Sequence, residues 1–368
     1  MPAEQGAIEI SIEVLVVDDS PLMQRLITRL IESDPAIRVI DTASDGVEAV
    51  QKTAAYHPDV VTLDIEMPQL NGLGALQMIM ERTPTPVVMV SAMDEADTVM
   101  RALELGAVDF VSKPSGTVSI DLYKVRDEMI RKIKLATFTR PRRGVQVERP
   151  GALPRAPRTE MMGVRSGKPR IVAVGASTGG PRAIGELVTA LPPELPVTIC
   201  VVQHMPIGFT RSFAERLDRQ CSLHVVEAEE GQVVEPGGVY VAPGGSHMVL
   251  ARQGERLVVA LTQAPAVHSV RPSIDVLMQS VADVGGRDTL GILLTGMGSD
   301  GVEGLAAIKA AGGTTIVQDR ETSTIFGMPR AAIQRGVADQ ILPLSQIPGA
   351  LMLAMGIDED EEQGRGTA

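Results

Sequence analysis

Val174-Gly175-Ala176-Ser177-Thr178-Gly179-Gly180-Pro181 joins an apolar run, Ile171 to Val174, to a helical pattern through Ile184, Leu187, Val188 and Leu191. A buried strand, a tight turn and a helix opened by proline form the repeating unit of a layered α/β sheet. Ser177 falls in the turn. Glycines at 175, 179 and 180 let the backbone turn sharply and approach a ligand closely, and the N-terminus of the next helix offers unpaired N–H groups to an anion. That geometry suits a nucleophilic serine whose attack generates an oxyanion. It suits a passive phosphate cradle as well, and the G-x-S-x-G spacing alone does not separate the two.

Outward from this loop the alternation continues. Strands are expected at Val197–Val202, His224–Val226, Val239–Ala242, Leu290–Leu294 and Thr315–Val317, with a hairpin around Gln253-Gly254-Glu255. Helices are expected near Gly208–Asp218, after Pro272, at Gly301–Ala311, near Pro329–Arg335 and near Ile347–Met355. Ligands of such sheets bind at the carboxyl ends of the strands. Three of those ends carry Ser177, Gln203-His204, and Thr295-Gly296-Met297-Gly298-Ser299-Asp300-Gly301. Brought together, His204 takes the Ser177 proton and Asp300 holds the imidazole, as serine hydrolysis requires. Asp300 also has a plainer reading, as the N-cap of the helix after it. His247 and His268 are placed as further lining of the site, and no metal-ligand spacing calls for zinc.

Upstream, five apolar runs alternate with amphipathic segments: Val14–Val17, Val39–Ile40, Val60–Leu63, Val87–Val90 and Asp109–Val111. The first helix carries Leu22, Leu26, Ile27, Leu30 and Ile31 on one stripe, with Gln24, Arg25 and Arg29 elsewhere. Asp18 and Asp19, Asp64, Ser91 and Lys113 stand at four strand ends. Three carboxylates converging there repel one another unless a hard cation with oxygen ligands, Mg²⁺, holds them together. A hydroxyl and a lysine opposite complete a site for a phosphoryl group.

Composition limits the alternatives. At 368 residues, 44% hydrophobic but 2% aromatic and without Trp, the chain is long enough for two aliphatic-cored α/β domains. A formal net charge of −12 argues against nucleic acid as partner, and the absence of any span-length apolar run argues against membrane insertion. The expected location is cytoplasmic. Cys200 and Cys221 are too few for a disulfide framework. From Arg140 to Arg170, prolines at 141, 150, 154, 157 and 169 punctuate an arginine-bearing stretch without apolar periodicity, which reads as a flexible tether. The expected organisation is therefore a first domain at 1–135, a Pro/Arg-rich linker at 136–168, a second domain at 169–356 and an acidic tail at 357–368.

Val17-Asp18-Asp19-Ser20, Leu63-Asp64-Ile65-Glu66-Met67-Pro68 with Asn71-Gly72, Ser91-Ala92 and Lys113-Pro114 make the first domain resemble a response-regulator receiver. That resemblance implies a flavodoxin-like fold with Asp64 as phospho-acceptor. It implies Mg²⁺ held by Asp18, Asp19, Asp64 and the Glu66 carbonyl, and phosphoryl oxygens met by Ser91 and Lys113. Phe110 falls at the position of the switch aromatic. The second domain resembles the catalytic domain of chemotaxis receptor methylesterases, through the Ser177 loop, Gln203-His204-Met205-Pro206 with Phe209, Ala242-Pro243-Gly244 with His247-Met248, Arg271-Pro272-Ser273-Ile274-Asp275, and the 295–301 stretch. It implies a Rossmann-like domain, so that the whole chain is two doubly wound, mostly parallel α/β domains.

The function implied is hydrolysis of glutamate methyl esters on methyl-accepting chemoreceptors, and deamidation of receptor glutamines, under control of a chemotaxis histidine kinase. Ser177 is then nucleophile, His204 base and acid, Asp300 orienter, the Met297 N–H an oxyanion donor and Thr178 a neighbour. Mg²⁺ belongs to the receiver, with no cofactor expected in the catalytic domain. With two domains on a loose tether, the unphosphorylated receiver is expected to restrain the enzyme until charge arrives at Asp64. The competing class is a non-enzymatic two-component regulator whose output domain binds a nucleotide or phosphate at Gly175–Gly180. It requires neither His204 nor Asp300.

Overall fold

The computed structural model describes residues 11–92, 95–113, 119–139 and 170–355. The chain divides into two compact units, Met1–Val147 and Glu148–Ala368. The tether expected over 136–168 falls almost wholly outside the described residues, as does the acidic tail at 357–368.

In the first unit, five parallel strands, β1 (Ile12–Val17), β2 (Ile37–Ala43), β3 (Val60–Asp64), β4 (Val87–Ser91) and β5 (Asp109–Ser112), lie in the order β2-β1-β3-β4-β5. Their near-continuous Val, Ile and Leu runs are what a sheet covered on both faces demands. Helices α1 (Pro21–Ile31), α2 (Gly46–Tyr56), α3 (Gly72–Arg82), α4 (Ala96–Leu105) and α5 (Ser119–Ala136) follow successive strands. Ser20 caps α1 by accepting the Met23 N–H, and Pro21 occupies its first turn. Ile27, Leu30 and Ile31 are buried as the stripe requires, but Leu22 is 70% exposed. It lies in the first turn of α1, two residues after the N-cap Ser20. The order reverses between β1 and β3, so Asp18 and Asp64 meet at the switch point. Gly72 lets α3 begin against the end of β3: a Cβ there would fall 2.0 Å from the Asp64 carbonyl oxygen.

In the second unit, seven strands run wholly parallel in the order β14-β13-β12-β6-β7-β9-β8. They are β6 (Ile171–Ala176), β7 (Thr198–Gln203), β8 (His224–Glu227), β9 (Gly238–Val241), β12 (Thr289–Leu293), β13 (Thr314–Gln318) and β14 (Gln340–Leu342). The antiparallel pair β10 (His247–Gln253) and β11 (Arg256–Thr262) forms a separate hairpin turning at Gly254, φ 64°. Helices α6 (Gly180–Thr189), α7 (Phe209–Gln220), α8 (Ile274–Gly285), α9 (Val302–Ala310), α10 (Met328–Arg335) and α11 (Ile347–Ala354) complete the layers. Strand β14 has no counterpart among the strands expected from sequence, because its three exposed or half-exposed edge residues carry no periodic signal. From β6 the chain steps to β7 on one side and returns to β12 on the other, which opens a crevice at the carboxyl end of β6.

Candidate active site

Backbone hydrogen bonds gather the three strand-end loops around that crevice. Ser177 N–H donates to the Thr295 carbonyl at 3.0 Å, and His204 N–H donates to the Ala176 carbonyl at 3.2 Å. Gln203, 2% exposed, donates its side-chain amide to the carbonyls of Ser177 (2.9 Å) and His204 (3.2 Å). The Thr295 hydroxyl reaches the Thr178 carbonyl at 2.9 Å. Glycine is required where the loops touch. A Cβ at Gly180 would lie 1.9 Å from Gln203 Oε1, and one at Gly296 would lie 2.8 Å from Ser177 Cβ.

His204 Nε2 lies 2.8 Å from Asp300 Oδ2. Asp300 is only 2% exposed, yet its carboxylate is well provided with donors. Ser273 Oγ donates to Oδ1 at 2.7 Å, Ile274 N–H to Oδ2 at 2.7 Å and Asp275 N–H to Oδ1 at 3.1 Å. These donors are the N-cap residue and first turn of α8, so the charge sits where the helix dipole and unpaired amides favour an anion. Burial pushes the carboxyl up, but the His204 imidazole, the Ile274 amide and the Ser273 hydroxyl outweigh it and hold Asp300 at about 2. The N-cap alternative is set aside: Gly301 caps α9 without any side-chain bond, and Asp300 serves α8 instead.

Ser177 is half-buried at the head of the α6 loop and, among the described residues, its hydroxyl makes no hydrogen bond. With Nε2 committed to Asp300, Nδ1 is the imidazole nitrogen without a protein partner among the described residues. Met297 follows Gly296, is 43% exposed, and its N–H meets no protein acceptor among the described residues. Thr178 is 6% exposed beside it. His247 does not line the site as an active group. It is fully buried, accepts the Ser273 N–H on Nδ1 (3.1 Å) and places Nε2 3.1 Å from the Pro265 carbonyl. This pairing holds the ring against the α8 N-cap residue Ser273. His268 pairs with Asp275. The donors to Asp300 escape a reading by motif spacing, although Ser273 after Pro272 and before an apolar helix is a recognisable cap.

In the first unit, side-chain oxygens of Asp18, Asp19 and Asp64 approach within 4.8 Å of one another. Lys113 Nζ lies 2.7 Å from Asp64 Oδ2 and 3.2 Å from Asp18 Oδ2. Beyond these ion pairs both oxygens, and the buried Ser91 hydroxyl, keep unused hydrogen-bonding capacity. Burial first, and then Asp18 against the pull of Lys113, leaves the Asp64 carboxyl above its ordinary value. Clustered, incompletely satisfied oxygens with one exposed member, Asp19, fit a hard divalent cation such as Mg²⁺. Glu66 is exposed beside them, and Phe110 is buried with Lys132 Nζ 4.9 Å from its ring centre.

An acidic pocket at the switch point of one flavodoxin-like unit, and a serine, a histidine and an aspartate at the switch point of the other, define a response regulator with a hydrolase-type α/β output domain. Family comparison agrees: residues 14–122 match the response regulator receiver domain and residues 172–351 match the CheB methylesterase. The chain belongs to the CheB methylesterase family. It is 46% identical over 348 residues to the protein-glutamate methylesterase/protein-glutamine glutaminase of Pyrococcus horikoshii, covering 94% of each chain. It is 42% identical to that of Thermotoga maritima, over 93% of this chain and 98% of the relative. The crystal structure of the Thermotoga maritima CheB methylesterase catalytic domain superposes with a TM-score of 0.50 at 43% identity, covering 50% of this chain and 98% of that one.

Proposed function

We propose that this chain is a phosphorylation-regulated protein-glutamate methylesterase and protein-glutamine glutaminase acting on chemoreceptors during chemotactic adaptation. A glutamyl methyl ester and a glutamine side chain each present a carbonyl with a small leaving group, so one serine mechanism serves both. His204 Nδ1 takes the Ser177 proton as Oγ attacks the carbonyl carbon. The oxyanion is met by the Met297 N–H, with Thr178 bordering the site. The imidazolium, stabilised by Asp300, returns its proton to the departing methanol or ammonia, and water then attacks the acyl-enzyme to release glutamate and free Ser177.

Receiver domains run on Mg²⁺-dependent phosphorylation. Here Asp64 would take the phosphoryl group from a chemotaxis histidine kinase. Asp18, Asp19, Asp64 and the Glu66 carbonyl would hold the cation, and Ser91 and Lys113 would contact the phosphoryl oxygens. Among the described residues no helix is long and apolar enough to cross a membrane, and we place the enzyme in the cytoplasm beside the receptor tails. We also take 1–135, 136–168, 169–356 and 357–368 as receiver, tether, catalytic domain and tail.

The observation that carries this reading is the 2.8 Å pairing of His204 with Asp300 at the crevice beside the Ser177 loop. A phosphate cradle has no use for that pair. Methanol release from methylated receptor tests it: Ser177→Ala should abolish release, and undiminished release would refute the assignment.

A further inference from the structure

Behind the His204–Asp300 pair lies a second histidine–carboxylate pair. His268 (φ 51°) and Ser269 (φ 64°) stand consecutively in the left-handed region, at the tip of a turn closed by two hydrogen bonds between Val267 and Val270, 3.2 and 2.9 Å. Successive non-glycine residues in that region carry a conformational cost that their contacts must offset. The turn delivers His268 Nε2 to within 2.9 Å of Asp275 Oδ2. Asp275, 9% exposed, accepts the Gly304 N–H at 2.7 Å on its other oxygen and donates its own N–H to Asp300 at 3.1 Å. Side-chain atoms of His268, Asp275 and Asp300 lie within 4.8 Å of one another.

We propose that His268 and Asp275 are positioning residues that set the proton affinity of His204 through Asp300. This rests on the assignment of His204 as the base. Asp275 places a second negative charge beside Asp300 in a site sheltered from water, where charges act strongly. That charge favours the protonated imidazole at 204. Burial pushes the Asp275 carboxyl up, the Gly304 amide pulls it down, the Asp300 charge pushes it up again, and His268 pulls against that. His268 therefore helps to keep Asp275 ionised. Other charged groups near these elements are engaged elsewhere: Glu303 of α9 with Arg335 at 3.5 Å, and Arg271 with the carbonyls of Gln263 and Ala264 at 3.1 Å each.

Asp275→Asn retains the volume and an acceptor for Gly304 but removes the charge. In the full-length chain, the His204 imidazole resonance, assigned by its loss in His204→Asn, should titrate about half a pH unit lower in this variant. The acid limb of kcat/KM for methanol release should move with it, a roughly threefold gain in rate on the limb. His268→Ala should move both in the same direction by less, because an Asp275 without its donor is more readily protonated. The double variant should move no further than Asp275→Asn alone. An unmoved midpoint in Asp275→Asn, an upward shift, or additive shifts in the double variant would overturn the proposal; a purely structural role lowers the rate at every pH without displacing the limb. Failure of the catalytic reading is distinguishable, since Ser177→Ala would then retain methanol release whatever the His204 midpoint does.

Discussion

His204 turns Nε2 toward Asp300, 2.8 Å from Oδ2, and so leaves Nδ1 as the nitrogen to which the proposed mechanism sends the serine proton. The carboxylate fixes that choice, because an acceptor on Nε2 requires Nε2 to carry the proton in the neutral ring. Asp300→Asn offers an amide that can equally donate to Nε2 and select the opposite tautomer. We expect kcat to fall about 10³- to 10⁴-fold with KM little changed, measured as methanol release from methylated receptor. A loss of tenfold or less would mean that the imidazole finds its orientation without the carboxylate.

The same carboxylate makes acid stability depend on the pair. Asp300 is held at about 2 in the folded protein, below its ordinary value of 3.8. Because the folded value is depressed, its contribution is fully present above pH 4 and is lost as pH falls from about 4 to about 2. The lowered value corresponds to about 2 kcal/mol. Urea unfolding of the catalytic unit at pH 5 and pH 2.5 should show a smaller difference in Asp300→Asn than in the parent chain. An equal difference would place the acid sensitivity elsewhere.

Ser273 serves two masters: its hydroxyl donates to Asp300 Oδ1 at 2.7 Å and accepts from the Val276 amide at the start of α8. Ser273→Ala removes a cap and a donor to a buried charge together. Stability should fall by about 1–3 kcal/mol. The rate should fall about tenfold, since three donors, the Ile274 and Asp275 amides and the His204 ring, remain on Asp300. A variant as stable as the parent would show that solvent replaces the hydroxyl at no cost.

What the sequence discloses and what it hides follow from range. Aliphatic runs such as Val60–Leu63 and Ile171–Val174 mark strands because burial on both faces leaves no polar positions, and strand ends are then where chemistry collects. Ser177, His204 and Asp300 are legible as candidates on that ground, as are Asp18, Asp64 and Lys113. The surroundings of Asp300 are not, because amides from residues 274 and 275 reach it across 25 or more positions of chain and leave no side-chain signature. Leu22 misleads for a related reason: periodicity gives a face, and it does not say how far along the helix that face is covered.

Cys200 lies fully buried in β7, and burial pushes its thiol up to about 12. Cys221, at the end of α7, is half-buried. Thiolate is the reacting species, so a disulfide reagent at pH 8 should modify one thiol of the native chain, Cys221, with Cys200 reacting at least a hundredfold more slowly, on the order of the global opening rate. Two thiols reacting at similar rates would show that β7 opens locally.

In the receiver, charge is in excess by design of the pocket. Asp64 is 1% exposed beside Asp18, 0% exposed, and Lys113 is the cation that the structure sets against both. Because burial, with a smaller push from Asp18, raises the Asp64 carboxyl against the pull of Lys113, ionised Asp64 costs stability, a cost that builds as pH rises from its ordinary value through the raised one and is constant above it. Asp64→Asn should therefore stabilise the receiver by on the order of 1 kcal/mol in chelator, raising its melting transition by about 4 °C. Added Mg²⁺ should reverse the ranking, since a cation held as proposed would meet three carboxylates in the folded parent and two in the variant. Differential scanning of the full chain, with and without millimolar Mg²⁺, reads both effects. A lower transition for Asp64→Asn in chelator would mean that Lys113 already balances the pocket, and the cation would then have no repulsion to relieve.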